Sequence, residues 1–339
     1  MESDLINRFS GTAEEIGILI GKSIGGKKFL NNISKMIEAV NNSYGINYKK
    51  LKNESMFWFE NLPEDYQKEL EGISRGANFP IEKIAQWYFS SMCTDNGCTS
   101  FITKTKDSCW IGRNNDYLLP ESWGHINIIE VDNKIPVMLF GLEGDIFSGT
   151  GFNKEKLWIH YNHLPVWDIP LEYRKKLSPF VFIRKALESC KSVDEVERLL
   201  QNTVRDGGMN LFVVDGKNNQ SSVFECSSQL YKKRRIESSY IAGANHYSEI
   251  KVPAGCNFDF KDSIKRQEKV ENLLLKNKKG LSLQKMIDIL SNSEVEQNNN
   301  LSGTVYSNIV CPADNLIYFA YDGFPAASKG NWQKIEWEW

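Results

Sequence analysis

The chain has 339 residues, 41% hydrophobic and 25% charged, with a formal net charge of −2. This is the balance of a globular protein with one large or two modest domains, and it gives no electrostatic case for nucleic acid or an anionic membrane as partner. Seven cysteines without paired spacing, no run near the ~20 apolar residues of a membrane span and an amino terminus (Met1-Glu2-Ser3-Asp4-Leu5) without secretory features lead to the expectation of a reducing, cytoplasmic compartment.

Residues 1–97 read as mostly helical. Thr12-x-x-Glu15 has the form of a capping box. Leu30, Ile33, Ile37 and Val40 keep one helical face, and further helices fit Pro63 to Gly76 and Pro80 to Met92. After Cys98 the period changes to that of strands. Thr99 to Thr105 and Cys109 to Asn114 predict one hairpin, and His125 to Val131 with Val137 to Leu142 another. A glycine-rich loop, Gly144 to Gly151, precedes a strand over Leu157 to Asn162. Helices are expected over Pro179 to Cys190 and Val193 to Thr203, then a hairpin joining Asn210–Asp215 to Ser221–Cys226 through Gly216-Lys217-Asn218-Asn219. Asp262 to Lys276 and Leu283 to Leu290 return to helix, Glu294 to Asn300 is a loop, and Val305–Cys311 with Leu316–Tyr321 form a last hairpin. Strands bracketed by helices imply two packed sheets covered by helices.

The junction Asn96-Gly97-Cys98-Thr99-Ser100-Phe101 carries the chemistry. Cleavage between Gly97 and Cys98 leaves a residue with both a thiol and a free α-amine. That amine has an ordinary pKa of about 7.7–8.0 and serves as a base near neutrality, so nucleophile and base share one residue. A hairpin brings Asp116 back beside Cys98, where it can hold the new amine. The same Asp, following Asn114-Asn115, also fits a simple turn. Arg113 is placed to lower the thiol pKa, to pair with Asp116 or to grip a substrate carboxylate.

Asn245, after a short apolar strand, and Asn162, in His160-Tyr161-Asn162-His163, are candidate oxyanion donors, each of which also reads as an ordinary turn or strand residue. Arg266 lies in a charged helical stretch that does not single it out. Activation of Cys98 by His246 is the alternative chemistry, although no papain-type signature surrounds the cysteine. No metal-ligand spacing, P-loop or dinucleotide fingerprint is present. Tyr117, Trp123, Phe147 and Trp167 are candidates to line an apolar acyl pocket, with ordinary core packing the better reading for most of them.

Together these motifs resemble the acyl-coenzyme A:6-aminopenicillanic acid acyltransferase family of self-processing N-terminal-nucleophile (Ntn) hydrolases, to which the choloylglycine hydrolases are related. The likeness rests on Gly11 to Gly17, Gly97-Cys98-Thr99, the Gly-x-Asn-x-Asp run of Gly112 to Asp116, Gly151-Phe152-Asn153, Asn245-His246, Asp262-Ser263-x-x-Arg266 and Gly303 to Ser307. It implies an α+β, four-layer αββα sandwich with a helical leader. Residues 1–97 would be the small subunit and residues 98–339 the catalytic core. It further implies Cys98 as nucleophile, Asp116 as amine partner, Asn245 in the oxyanion hole and Arg266 anchoring the nucleophile's surroundings. Arg113 matches the choloylglycine hydrolases, where the fungal acyltransferase has glutamine, and Asn162 matches the second oxyanion position of the bile-salt enzymes. The two are expected at the substrate.

The expectation is therefore a zymogen that cuts itself at Gly97–Cys98 and acts on a small-molecule amide or acyl thioester, with hydrolysis of a linear non-peptide amide first. Its cleaved leader stays bound as partner, a homo-oligomer is allowed, and neither metal nor organic cofactor is required. A coenzyme A-dependent N-acyltransferase and a non-catalytic binding protein are the alternatives.

Overall fold

The computed structural model describes residues 5–24, 31, 34–38, 48–92, 97–170, 175–236, 239–277, 281–299 and 302–339. The chain enters through strand β1 (Ile6–Gly11) and helix α1 (Ala13–Ile24), then passes α2 (Tyr48–Glu60), α3 (Glu64–Ala77) and α4 (Ile81–Met92). It continues through β2 (Thr99–Lys104), β3 (Cys109–Leu118), β4 (Trp123–Val131), β5 (Val137–Leu142), β6 (Thr150–Asn153) and β7 (Leu157–Leu164). Helices α5 (Pro179–Ser189) and α6 (Val193–Gln201) lead to β8 (Gly208–Asp215), β9 (Gln220–Cys226), β10 (Tyr231–Arg234) and β11 (Tyr240–Gly243). The last third holds α7 (Lys261–Lys276), α8 (Leu283–Leu290), β12 (Ser302–Cys311), β13 (Leu316–Tyr321), α9 (Ala326–Lys329) and β14 (Asn331–Lys334).

The strands form two sheets, one in the order β1-β4-β5-β6-β7-β8-β9-β10 and the other β11-β2-β3-β12-β13-β14. Their inner faces meet through aromatic rings: Phe140 of β5 packs 5.5 Å from Phe319 of β13, which lies 5.4 Å from Tyr306 of β12. Helices α5 and α6 cover the first sheet, and α7 and α8 the second. The α+β, four-layer αββα architecture agrees with the expectation, and so do the four hairpins.

The leader is mostly helical, as expected, but it also contains a strand. β1 joins the first sheet in parallel with β4, with Ile6 opposite Ile126 and Gly11 opposite Val131. A six-residue strand whose partner lies over a hundred residues away leaves no local hairpin signature. The four-residue strands β6, β10 and β14 are likewise too short to show a period, whereas the short apolar strand expected before Asn245 forms as β11. Of the helical face expected early in the leader, Leu30, Ile33 and Val40 lie outside the described residues, while Ile37 packs against the core.

The capping box forms: Thr12 N donates to Glu15 Oε2 at 2.9 Å and Glu15 N to Thr12 Oγ1 at 3.3 Å. Helix α1 then crosses α3 at backbone contact. A Cβ on Gly17 would collide with the Glu69 carbonyl oxygen, and one on Gly76 with that of Ile18. The leader is fastened to the body by rings as well. Trp58, Tyr66 and Tyr88 surround Phe147 of the glycine-rich loop, edge-on at 6.1, 5.2 and 5.8 Å.

Candidate active site

Strand β3 runs through the middle of the second sheet, and residues 111–117 are all buried, including Arg113, Asn114, Asn115 and Asp116. Four consecutive polar side chains inside a central strand carry a desolvation cost unless each finds partners. Strand alternation sends Arg113 and Asn115 to one face and Asn114 and Asp116 to the other. Beside Asn115 and Asp116 the register with β12 shifts between Thr304 and Tyr306, a bulge that re-aims side chains locally.

Cys98 stands just before β2 and is 1% exposed. Arg113 Nη2 lies 3.6 Å from its Sγ and also donates to the Tyr161 carbonyl at 2.8 Å. Arg113 Nη1 reaches Thr150 Oγ1 and Tyr306 OH, so the guanidinium rests on neutral acceptors. The thiol lies 3.8 Å from Asn115 Oδ1. Burial raises the Cys98 pKa, with Asp116 acting in the same direction; the positive charges of Arg113 and Arg266 oppose the rise.

Asp116 faces the junction. Its Oδ1 accepts from Thr304 Oγ1 at 2.6 Å, while Oδ2 is buried with no hydrogen-bond partner among the described residues. A Cβ on Gly97 would stand 3.5 Å from that Oδ2, an ordinary contact. Burial pushes the Asp116 carboxyl up to about 7, against the charges of Arg266 and Arg113 and the Thr304 hydroxyl.

Arg266, on α7, ties the constellation together. Nη1 donates to the Cys98 carbonyl at 3.0 Å and to Thr99 Oγ1 at 2.5 Å, Nη2 donates to Asn245 Oδ1 at 3.0 Å, and Nε pairs with Asp262 at 2.8 Å. Asn245 is held further by its Nδ2 on the His163 carbonyl at 3.0 Å and its backbone N–H on Ser263 Oγ at 2.7 Å. Asn162 is buried behind it, with Nδ2 on the Gly243 carbonyl at 2.9 Å and Oδ1 accepting from Ser100 Oγ at 3.0 Å. Cys98, Arg113, Asp116, Asn245 and Arg266 thus converge on one site, and Asn162 links β7 to the start of β2 and the end of β11.

No histidine is hydrogen-bonded to the thiol among the described residues. His246 shares Ser263 Oγ at 2.8 Å, and burial together with Arg234 and Arg266 lowers its pKa to about 4, so it is neutral and already paired. His160 is buried against Phe212, with rings stacked at 4.6 Å. The described residues contain no group of three or more His, Cys, Asp or Glu placed for a metal ion, and no helix long and apolar enough to cross a membrane.

Residues 103–324 match the family model described as acyl-coenzyme A:6-aminopenicillanic acid acyl-transferase. The chain belongs to that family. The matched span holds Arg113, Asp116, Asn162, Asn245 and Arg266 and begins after Cys98. Membership in the acyl-transferase family makes the chain an enzyme of acyl chemistry. Among solved structures, three are similar over much of the chain. A mutant of conjugated bile acid hydrolase from Clostridium perfringens is 14% identical at TM-score 0.45, over 71% of this chain and 97% of that one. The Caenorhabditis elegans N-acylethanolamine-hydrolyzing acid amidase ortholog is 16% identical at 0.47, over 64% and 93%. Penicillin V acylase from Agrobacterium tumefaciens is 12% identical at 0.46, over 66% and 83%. No curated protein sequence matches the chain.

Sequence reasoning on this acyl-transferase family member missed three contacts of the site: Asn115 on the sulfur, Thr304 on Asp116 and Tyr306 on Arg113. Thr304 and Tyr306 lie in the Gly303 to Ser307 motif, but pairing across β3 and β12 is what gives them a role. Of the four aromatics weighed between packing and an acyl pocket, Tyr117 and Phe147 are buried; Trp123 lies tilted against Tyr117 at 4.7 Å and Trp167 meets Tyr247 edge-on at 5.0 Å.

Proposed function

We propose that this chain is a self-processing N-terminal-nucleophile cysteine enzyme, cut between Gly97 and Cys98 and hydrolysing a linear, non-peptide amide through a Cys98 thioester. The observation that carries this reading is the buried Asp116 Oδ2, without a hydrogen-bond partner among the described residues and close to the Gly97–Cys98 junction. A buried carboxylate oxygen without a donor is costly, and an α-ammonium released at Cys98 supplies both the donor and the missing charge.

In the proposed reaction the Cys98 amine takes the thiol proton, and the sulfur attacks the substrate carbonyl. Arg113, 3.6 Å from Sγ, favours the thiolate. Asn245, oriented by Arg266, stabilises the oxyanion, a contact worth roughly 3–4 kcal/mol in the transition state. The protonated amine then passes its proton to the leaving nitrogen, and water resolves the acyl-enzyme. His246 is held by Ser263 Oγ with its pKa lowered to about 4, which makes it a weak base and supports the Cys98 amine over a Cys–His pair. The family description supports a second acceptor, with an amine in place of water and an acyl-coenzyme A thioester as donor.

Intact mass and amino-terminal sequencing of purified protein test this. Two associated fragments are expected, the larger beginning Cys98-Thr99-Ser100, with Cys98→Ala remaining whole. A wild-type chain that stays at full mass through prolonged incubation defeats the reading.

A further inference from the structure

Asn115 was no part of the motif reading, yet it is the one uncharged side chain in hydrogen-bond range of the Cys98 sulfur among the described contacts. It is 4% exposed, its Oδ1 lies 3.8 Å from Sγ, and its Nδ2 is buried with no acceptor among the described residues. Its neighbour Asn114 is not so placed: its Nδ2 donates to the Leu290 carbonyl at 2.8 Å and its Oδ1 accepts from Ser307 Oγ at 2.7 Å.

A carboxamide has nearly the same shape either way round, with an acceptor at one end and two donors at the other. Facing a thiol, Asn115 presents oxygen to S–H and strands its N–H groups away from water. Facing a thiolate, a half-turn about Cβ–Cγ brings Nδ2 to the sulfur, and the donor that had no partner gains a charged one. Oxygen then stands unpaired in the old place of Nδ2, a cost that the charge-assisted N–H to thiolate bond outweighs. The cost of the stranded donor is therefore relieved only when the sulfur is ionised.

We propose that Asn115 is a further catalytic residue, donating an N–H to the Cys98 sulfur in its ionised form and so favouring the nucleophilic state. This rests on the reading of Cys98 as nucleophile. The only bonds that change are S–H, which breaks, and N–H on the Cys98 α-amine, which forms as it takes the proton. The other charged or titratable groups facing the sulfur are Arg113 of β3 and Arg266 of α7, which favour the thiolate, with Asp116 of β3 and Tyr306 of β12, which as anions oppose it; the Asp116 backbone N–H also favours the thiolate. Asn115 differs from all four in acting without a charge of its own.

The test is the pH dependence of Cys98 alkylation by iodoacetamide, followed by peptide mass mapping, in wild type, Asn115→Ala and Asn115→Asp. Thermal unfolding is measured in parallel, and the partly exposed Cys256 serves as internal reference. Loss of one charge-assisted hydrogen bond predicts that Asn115→Ala reacts roughly tenfold more slowly at neutral pH, with the midpoint about one unit higher. Asn115→Asp, although closest in shape, is expected to be slower still, because it offers the sulfur only lone pairs. A merely space-filling role gives the reverse order, with Asp mild and Ala severe, and overturns the proposal. Equal midpoints in folded variants overturn it too while leaving the Cys98 reading intact. Wild-type Cys98 reacting no faster than Cys256 at any pH brings down both.

Discussion

Arg184 Nη2 lies 3.5 Å from Glu69 Oε1, with both side chains out of contact with solvent. Glu69 belongs to the leader and Arg184 to the body, so the pair crosses the proposed cut. The guanidinium is also held by Glu188 Oε1 at 2.6 Å and the Ile146 carbonyl at 2.9 Å, while Tyr66 OH donates to Glu188 Oε2 at 2.8 Å. Arg184→Met would leave two carboxylates in the core with only Lys134 near them. Stripping one side of such a buried network costs on the order of 3–5 kcal/mol. Urea unfolding is expected to show the midpoint falling by a matching amount, and in cut protein the leader should separate first. An unchanged midpoint would mean that Lys134 suffices.

The glycines of the α1–α3 crossing offer a second test of how the leader is built. Gly17 and Gly72 abut backbone atoms of the opposite helix, which cannot swing aside as a flexible side-chain end can. Gly17→Ala and Gly72→Ala should therefore each cost about 2–4 kcal/mol in forced separation of the helices, although alanine is otherwise the better helix former. Differential scanning calorimetry should show both variants melting several degrees lower. A gain in melting temperature would show that helix propensity outweighs the contact.

Asp116 gives a pH-dependent prediction whose sign follows from burial. In the intact chain its carboxyl is pushed up to about 7 from an ordinary 3.8, so the folded state favours the protonated form. Its ionisation then costs nothing below pH 4, costs progressively more as pH rises toward 7, and costs the full amount above that. In an uncut Cys98→Ala background, Asp116→Asn should be neutral near pH 4 and stabilising by on the order of 2–4 kcal/mol at pH 8. Denaturant midpoints at the two values check it. A variant that destabilises equally at both would point to lost Thr304 bonding rather than relieved charge.

The sequence made the layered architecture legible because its strands and helices announce themselves locally. The Thr12–Glu15 box, the Gly216 to Asn219 turn and the alternation around Val137 each rest on residues within one element. The leader strand Ile6–Gly11 did not, since pairing with β4 is what makes it a strand. The same divide runs through the site. Cys98 and Asp116 were readable because a short hairpin joins them. The partners Thr304 and Tyr306 depend on the β3–β12 register, and the commitment of Asn162 to Gly243 depends on the meeting of two sheets. Asn115 looked like half of a turn until its strand was seen to be central and buried.

Arg266 supplies the last prediction, because one planar side chain serves two reacting parts of the site. Its Nη1 holds the Cys98 carbonyl and its Nη2 holds the Asn245 carboxamide, both at 3.0 Å. A lysine carries the same charge on a single ammonium and cannot span both acceptors in that geometry. Arg266→Lys should therefore keep the fold and the field at Asp116 while leaving Asn245 free to turn. Self-cleavage and acyl transfer are expected to slow by about 10²-fold, as for loss of an oxyanion donor, with the loss in kcat and little change in KM. Asp262→Asn is the matched control. It touches the same guanidinium through Nε, but its carboxylate is 70% exposed, so removal of its charge should change rates less than about threefold. Time courses of intact mass, alongside steady-state rates on a chromogenic amide, distinguish the two variants. Equal effects would mean that Arg266 acts through net charge, and the orienting role given to its two amino groups would have to be abandoned.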